Sequence, residues 1–310
     1  MTATTVVARP ARAASVLWRF SRPHTIIGTA VSVAGLEAIV VAAYPGASAG
    51  TIAFHGFWTL VAALSVNVFI VGINQISDVE IDRVNKPFLP IAAGDLSSEA
   101  AWWIVAASAA LPLGLALTQG ALETTAVAAA LAIGAAYSLP PVRLKRYAIV
   151  ASLCVSGVRS AIVNLGVAGH FTAALASGAP IPGGVWALTA FVLPFSLAIA
   201  ILKDVPDAEG DRQYEIATFT VRHGGRAVMH AGLAVLTIAY LGMAILGPIL
   251  VADANGVLLC VTHLGALALL FAAARGVDPS DRAGFTRLYF RVWQLFFLEY
   301  LVVPLSCLAG

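Results

Sequence analysis

Long apolar runs dominate this chain. A helix needs about 20 consecutive apolar residues to cross the roughly 30 Å hydrocarbon core of a bilayer, and such spans are helical because strands would leave backbone groups unpaired in lipid. Turn-forming residues separate the runs, for example at residues 177–180 and at Gly247-Pro248. The nine predicted spans cover residues 24–43, 55–77, 99–118, 121–138, 148–168, 185–202, 226–247, 250–274 and 286–308.

The composition agrees with a protein built almost entirely of such spans. The chain is 60% apolar and 11% charged, whereas soluble domains carry about 25% charged residues. We therefore expect a single membrane domain over residues 1–310, in which residues 1–20 form a basic cytoplasmic tail. The net charge of +2 and the dispersed basic residues give no indication of nucleic-acid binding. Membrane lipid is an expected partner and nucleic acid is not.

The distribution of basic residues predicts the orientation. Of the 18 Lys and Arg residues, all except Arg159 fall in the N-terminal tail, in the loops after spans two, four and six, or near the start of span nine. With nine spans these segments share one face, which the positive-inside rule makes cytoplasmic. Arg159 lies inside the fifth span, and we expect it to pair with Glu37 or Glu299, the other charges within spans, in a structural role; a role in substrate binding is the alternative.

Two acidic stretches, at residues 74–87 and 203–212, follow the second and sixth spans. On a helix, the spacing of the polar residues in each stretch puts three oxygen-bearing side chains on one face, while Pro206 and Gly210 predict that the second helix ends or distorts. Clustered carboxylates beside lipid require a cation, and Mg²⁺ bridges carboxylates to phosphate. The oxygen-bearing side chains that share a face are Asn74, Asp78 and Asp82 in the first stretch, and Asp204, Asp207 and Asp211 in the second.

Cationic and aromatic side chains share the predicted cytoplasmic face with these acids. Arg and Lys there suit a diphosphate, although any cytoplasmic loop also carries such residues for topology. Tyr137 precedes a double proline, which stops its helix and predicts an aromatic face at a cavity mouth; the alternative is an interfacial tyrosine. The basic candidates are Lys86, Arg143, Lys145, Arg146, Lys203 and Arg212.

Four stretches of the chain resemble the UbiA-type membrane prenyltransferase superfamily, and in particular its homogentisate phytyltransferase-like branch. Each is similar to one motif of that branch, the four occur in the expected order, and they spread over most of the chain. They are residues 22–29, residues 74–87 with their Asn-Gln start, residues 137–146 and residues 203–211.

This resemblance implies an all-α integral membrane fold, a nine-transmembrane-helix bundle with a central cavity open to lipid and a polar active site on the cytoplasmic side. It further implies Mg²⁺-dependent transfer of an isoprenyl group, geranyl or longer, from a prenyl diphosphate to a ring carbon of a phenolic aromatic acceptor such as 4-hydroxybenzoate or homogentisate. The resemblance carries the metal and diphosphate roles over to Asn74, Asp78, Asp82, Asp207 and Asp211.

Further roles attach to the neighbouring residues of the matched motifs. We expect the general base to be Asp204 or Asp207, with Tyr137 also in the catalytic group. Arg22, at the mouth of the first span, is the candidate for an acceptor carboxylate, with a topological charge as its alternative. The diphosphate-binding candidates are Lys86, Arg143, Lys145 and Lys203.

Two other interpretations stay open at this point. A member of the same superfamily could use a non-phenolic acceptor, such as chlorophyllide, haem or a lipid headgroup. A divalent-cation transporter would instead carry charges through several spans toward both faces, yet the opposite loops hold only Glu123, His170 and Asp253. Abundant Ala, Gly and Arg favour a bacterial protein, for which we expect the inner membrane.

Overall fold

The computed structural model describes residues 10–310. The regular secondary structure of this part of the chain is entirely helical, with no strand. Nine of the helical segments described are long and apolar enough to cross a membrane, which confirms the predicted number of spans. The helices are α1 (Pro10–Phe20), α2 (Pro23–Ala43), α3 (Ala49–Ser77), α4 (Val79–Asn85), α5 (Ser98–Gln119), α6 (Ala121–Ser138), α7 (Ala148–Gly157), α8 (Gly166–Leu175), α9 (Gly183–Leu202), α10 (Ala208–Gln213), α11 (Phe219–His223), α12 (Gly225–Leu250), α13 (Gly256–Ala274) and α14 (Arg282–Leu308).

The fifth span is a composite helix. Helices α7 and α8 are joined by π-helical turns over Val158–Leu165, so that the span runs from Ala148 to Leu175 and is longer than the predicted 148–168. π-helical turns inside an α-helix are rare and are frequently found at functional sites. A 3₁₀ turn at Leu144–Arg146 leads into this span.

The predicted break at Gly247-Pro248 is wrong. Helix α12 continues to Leu250 and contains Pro248 in its last turns. Near a helix end in a membrane protein, neighbouring groups compensate for the missing proline N–H, so the residue is tolerated. The next span begins later than predicted, where the Asn255 side chain accepts a hydrogen bond from the backbone N–H of Leu258 at 3.0 Å.

The N-terminal segment, predicted to be a tail, is helical over Pro10–Phe20. Phe20 is buried, and Arg19 forms an ion pair of 2.6 Å with Asp95, which ties this helix to the loop before α5. The rest of the predicted tail, including Arg9, lies outside the described residues.

Two apolar clusters hold the bundle together. One joins α1, α3, α5 and α6 around Phe20 and Phe69, and the other joins α2 with α9 and α12 to α14 around Phe195 and Phe296. Helices α2 and α14 approach closely at Gly35, because a Cβ there would lie only 2.5 Å from the carbonyl oxygen of Tyr300. A cavity lies among helices drawn from both clusters.

Candidate active site

The cavity has a volume of about 1350 Å³ and receives side chains from α2, α3, α6, α9 and α14. The candidate metal, diphosphate, acceptor and catalytic residues from the sequence all line it, so the fold brings both acidic stretches and most of the basic residues to one place. Arg212, one of the basic candidates, is exposed and does not line it. What each residue does there stays a prediction. The set is Arg22, Asn74, Asp78, Asp82, Lys86, Tyr137, Arg143, Lys145, Lys203, Asp204, Asp207 and Asp211.

The first acidic stretch is not one continuous helix, whereas the spacing of its polar residues predicts that they share one helix face. Helix α3 ends at Ser77, and Asp78 leaves helical geometry at φ −119° and ψ 18° before α4 begins. The backbone N–H of Asp82 still donates to the Asp78 carbonyl at 2.8 Å, and Asn74 donates its side-chain amide to the Asp78 carboxylate at 3.1 Å. These bonds keep all three side chains at the cavity despite the break.

Asp78 is held by cations from the loop that follows α6. The Lys145 ammonium lies 2.7 Å from its carboxylate, and the Arg143 guanidinium lies 3.4 Å away. Lys145 also donates to the Ser77 hydroxyl at 2.7 Å. Burial lowers the pKa of the Lys145 ammonium, although Asp78 acts in the opposite direction.

The second acidic stretch distorts as predicted. Helix α9 ends at Leu202, and α10 begins at Ala208 after a turn that contains Pro206. Lys86 of the first stretch forms an ion pair with Asp207 of the second. The two stretches therefore meet directly, through opposite charges.

Asn85 joins the two stretches a second time, and sequence reasoning missed it. Its amide oxygen accepts from the backbone N–H of Gly210 at 3.0 Å, and its amide nitrogen lies 3.4 Å from Asp211. Arg282 donates to the backbone carbonyl of Asn85 at 2.5 Å. A Cβ on Gly210 would lie 2.5 Å from the Asn85 amide oxygen, so this close approach requires glycine. The only sequence signal was a glycine inside an acidic stretch.

Burial and the charges of neighbouring acids raise the pKa values of Asp82 and Asp211. Burial, with Asp78 and Asp207 adding to it, raises the pKa of Asp82 to about 6. Burial together with the neighbouring Asp204 and Asp207 raises the pKa of Asp211 to about 7. A site that crowds carboxylates so tightly stabilises their charged forms best when a cation lies among them.

The donor set fits a hard divalent cation. It consists of carboxylate and amide oxygens, and one oxygen of Asp82 is buried without a hydrogen-bond partner among the described residues. Within residues 10–310, no three His, Cys, Asp or Glu side chains already converge closely enough to hold a metal. Lys145 and Lys86 instead engage Asp78 and Asp207, so cation binding requires these pairs to rearrange.

Tyr137 and Lys203 lie together on the cavity wall. The Lys203 ammonium is 3.1 Å from the Tyr137 hydroxyl and 5.8 Å from the centre of its ring. The ammonium therefore lies beyond the hydroxyl end of the ring, and a role for the aromatic face of Tyr137 at the cavity stays a prediction. Two acids of the stretches point away as predicted, since Glu80 and Glu209 are exposed.

Three described non-glycine residues have positive φ angles, and all of them line the cavity: Arg22 at 53°, Arg143 at 38° and Glu215 at 54°. Such backbone geometry costs about 1–3 kcal/mol per residue and concentrates at functional sites. Arg22 also donates to the Asn74 amide oxygen at 3.4 Å, which places it beside the first acidic stretch.

The predicted ion pair of Arg159 with Glu37 or Glu299 is wrong. Its guanidinium instead stacks on Trp293 at 4.5 Å and lies 5.2 Å from the ring centre of Phe296. Glu299 contacts His263 at 2.9 Å on another part of the bundle. The ninth span, which carries Glu299, does lie beside Arg159, but it turns Trp293 and Phe296 toward the guanidinium and Glu299 toward His263. The sequence of a single span does not reveal which of its faces meets which neighbour.

Glu123 and His170 are also buried, although the sequence predicts both to lie in loops on the face opposite the basic residues. Glu123 lies in the first turn of α6, and the extension of the fifth span places His170 inside α8. Their side chains meet at 3.2 Å, and His55 contacts His170 at 3.2 Å. Glu123 and Thr59 line the cavity, so the cavity carries a second polar patch formed by residues outside the acidic stretches.

Away from these polar groups the cavity wall is apolar and reaches the side of the bundle. An apolar groove between α6 and α7 shares wall residues with the cavity, so the two are adjacent. The shared residues are Ile133, Cys154, Val158 and Ile162. This geometry combines a charged site with a lipid-accessible apolar compartment.

Comparisons with known proteins agree with this arrangement. Residues 31–297 match the UbiA prenyltransferase family. Homogentisate phytyltransferase of Synechocystis sp. is 44% identical over 293 residues, which cover 93% of this chain and 94% of that protein. Homogentisate phytyltransferase 1 of Arabidopsis thaliana, a chloroplast protein, is 37% identical over 93% of this chain and 74% of its own length.

The fold is shared with a UbiA homolog from Archaeoglobus fulgidus solved with GPP and Mg²⁺ bound, at a TM-score of 0.65 and 19% identity over 93% of this chain and 99% of that one. Family match, sequence identity and fold agree, and the chain is a membrane prenyltransferase that belongs to the UbiA family.

Proposed function

We propose that this protein is an Mg²⁺-dependent aromatic prenyltransferase that moves an isoprenyl group from its diphosphate to a ring carbon of homogentisate. The observation that carries the proposal is the convergence of both acidic stretches and their lysine and arginine partners at one end of an apolar cavity. Two relatives named homogentisate phytyltransferases, each aligned over 93% of this chain, support the acceptor and a phytyl donor.

The acidic residues would hold Mg²⁺ and the basic residues the diphosphate. Bound Mg²⁺ supplies positive charge that stabilises the leaving diphosphate. The ammonium and guanidinium groups already present at the acids can turn from carboxylate to diphosphate when the substrate enters. The metal ligands in this proposal are Asn74, Asp78, Asp82, Asp207 and Asp211, and the diphosphate ligands are Lys86, Arg143, Lys145 and Lys203.

The reaction breaks the allylic C–O bond, whose electron pair leaves with the diphosphate. The apolar wall shields the resulting allylic cation from water, and the face of Tyr137 stabilises its charge. A ring carbon of the acceptor then supplies the electron pair of the new C–C bond, and the ring proton passes to a base. Asp204 is the better placed candidate, because burial raises its pKa to about 6, whereas Asp207 is engaged by Lys86.

The isoprenyl chain would lie along the apolar part of the cavity and the adjoining groove between α6 and α7. A chain that emerges there meets lipid rather than water, so long donors are accommodated at little cost. The concentration of basic residues in alternate loops supports a charged end that faces the cytoplasm, in a bacterial inner membrane.

A membrane-fraction assay tests this function. Geranyl, farnesyl, geranylgeranyl and phytyl diphosphates are each paired with homogentisate or 4-hydroxybenzoate, in Mg²⁺ or in EDTA. We expect prenylated homogentisate in Mg²⁺ only, its loss in Asp78→Ala, and its retention in Glu80→Ala, whose carboxylate is exposed in the same stretch. Diphosphate release without a prenylated phenol would refute the acceptor, and neither release nor product from folded protein would refute the function.

A further inference from the structure

Arg159 is a cation on the cavity wall that no acid of the described chain neutralises. It forms none of the ion pairs found among residues 10–310, and one of its terminal nitrogens is buried without a hydrogen-bond partner. The buried acids Glu123 and Glu299 contact histidines instead. A guanidinium in a membrane span is costly, and an unpaired one on a cavity marks a place for an anion.

The surroundings of this guanidinium are aromatic. It stacks on Trp293, and His24 meets the same indole edge-on at a centroid distance of 5.0 Å. Phe290 meets His24 edge-on at a centroid distance of 5.4 Å, and all four residues line the cavity. An aromatic ring that enters here finds faces and edges to pack against, next to a fixed positive charge.

Arg159 lies further along its span than the loop whose cations contact the first acidic stretch. At about 1.5 Å rise per residue, the Cα of Arg159 lies about 16 Å further along the fifth span than Ala148, which follows the loop of Arg143 and Lys145. That loop already supplies cations to the first acidic stretch. The anion at Arg159 therefore belongs to the acceptor and not to the prenyl donor.

We infer that Arg159 binds the carboxylate of the aromatic acceptor, while Trp293 and His24 pack against its ring. This inference rests on the proposed function and adds a specificity residue to it. A planar guanidinium held by stacking presents its N–H groups to a carboxylate in bidentate fashion, which a neutral acceptor cannot exploit. The site would select acidic phenols over neutral ones.

The test compares homogentisate with its primary amide, which keeps the ring and the shape but carries no charge. The full chain is purified as wild type, Arg159→Met, Arg159→Lys and Arg291→Met, the last removing an exposed arginine outside the cavity. In Arg159→Met we expect the KM for homogentisate to rise about 10- to 100-fold, with the KM values for the amide and for the prenyl diphosphate unchanged. Arg159→Lys should restore part of the loss, and Arg291→Met should match wild type.

Equal losses with acid and amide, or a matching rise in the KM for the diphosphate, would overturn the inference. So would a charge-selective loss in Arg22→Met that Arg159→Met lacks, since Arg22 would then be the carboxylate ligand. Equilibrium binding of radiolabelled homogentisate, with the amide as competitor, separates this inference from the proposed function. Weaker homogentisate binding in Arg159→Met supports the inference even if no product forms, and unaltered binding refutes it.

Discussion

Two of the clusters of ionisable side chains in this bundle, a closed pair away from the cavity and an open cluster on its wall, differ in how their charges are partnered. His263 and Glu299 meet at 2.9 Å, and His263 also bonds the backbone carbonyl of Leu259 at 2.6 Å, with both side chains almost wholly excluded from solvent. Neither lines the cavity. Around the acidic stretches, by contrast, several carboxylates and cations share one open cavity, and Asp82 keeps an oxygen without a partner.

This difference separates a structural pair from a ligand site. The closed pair of α13 and α14 sets an acid against a histidine at 2.9 Å with almost no access to solvent, so its removal is expected to weaken the fold. The open cluster contains like charges that repel one another and ion pairs that a ligand can exchange, so its alteration is expected to weaken binding and leave the fold intact. Removal of one group from each cluster tests the distinction.

The largest effect is expected at the open cluster. Asp207→Asn removes a proposed metal ligand with little change in shape, and prenyl transfer should fall about 10²- to 10³-fold because charge on the leaving group is less well stabilised. The melting temperature in detergent should stay within about 2 °C. Initial rates at saturating donor measure the first quantity. Glu209→Gln, an exposed acid of the same stretch, should be silent, and an equal loss there would contradict the assignment.

The closed pair should show the opposite pattern. Glu299→Gln leaves a buried histidine without its acid and is expected to lower the free energy of unfolding by about 3 kcal/mol, with kcat of the surviving folded protein unchanged. The double variant His263→Leu/Glu299→Leu should recover much of that stability, because no unpaired charge remains. Thermal unfolding alongside specific activity measures both. A selective loss of kcat without destabilisation would move this pair into the catalytic machinery.

An intermediate effect is expected where the two acidic stretches touch. Gly210→Ala forces a Cβ to within 2.5 Å of the Asn85 amide oxygen, so α4 and α10 must separate. Displacement by an ångström at an active site costs up to about 100-fold in rate, and we expect a loss of about 30-fold. Gly242→Ala, at a helical glycine with nothing within 4 Å, provides the matched control and should be as active as wild type. Full activity in Gly210→Ala would show that this contact does not position the site.

The smallest expected effect concerns pH. Metal binding needs ionised carboxylates, and the pKa values of Asp82 and Asp211 are raised to about 6 and about 7. Protons therefore compete with Mg²⁺ increasingly as the pH falls from 8 to 6, and the Mg²⁺ concentration for half-maximal activity should rise about tenfold. Activity titrations with Mg²⁺ at each pH measure this shift. A requirement for Mg²⁺ that falls as the medium becomes acidic would contradict it.

Features that depend on local sequence could be predicted. Nine spans follow from the length and hydropathy of each run, and the acidic stretches stand out because carboxylates are rare in the rest of the chain. The Gly247-Pro248 pair predicted a turn, but α12 continues through it to Leu250. A proline near a helix end removes only one N–H donor, so the helix tolerates it.

Features that depend on contacts between distant segments could not be predicted. The bond between Asn85 and Gly210 joins residues that only the packed bundle brings together, and the glycine in the second acidic stretch does not indicate its partner. The predicted partner of Arg159 was wrong for a related reason, since the neighbouring helix α14 meets it through the face of Trp293 and Phe296, while Glu299 of the same helix faces His263.

The central claim is that both acidic stretches build one site for Mg²⁺ and diphosphate. Calorimetric binding of a non-hydrolysable prenyl thiolodiphosphate, with and without Mg²⁺, to wild type, Asp78→Asn, Asp207→Asn and the double variant tests it most directly. One shared site predicts Mg²⁺-dependent binding that each single variant weakens, with little further loss in the double variant, because the residues act as a unit. Losses that simply add, or Mg²⁺-dependent binding that survives in either single variant, would contradict the account.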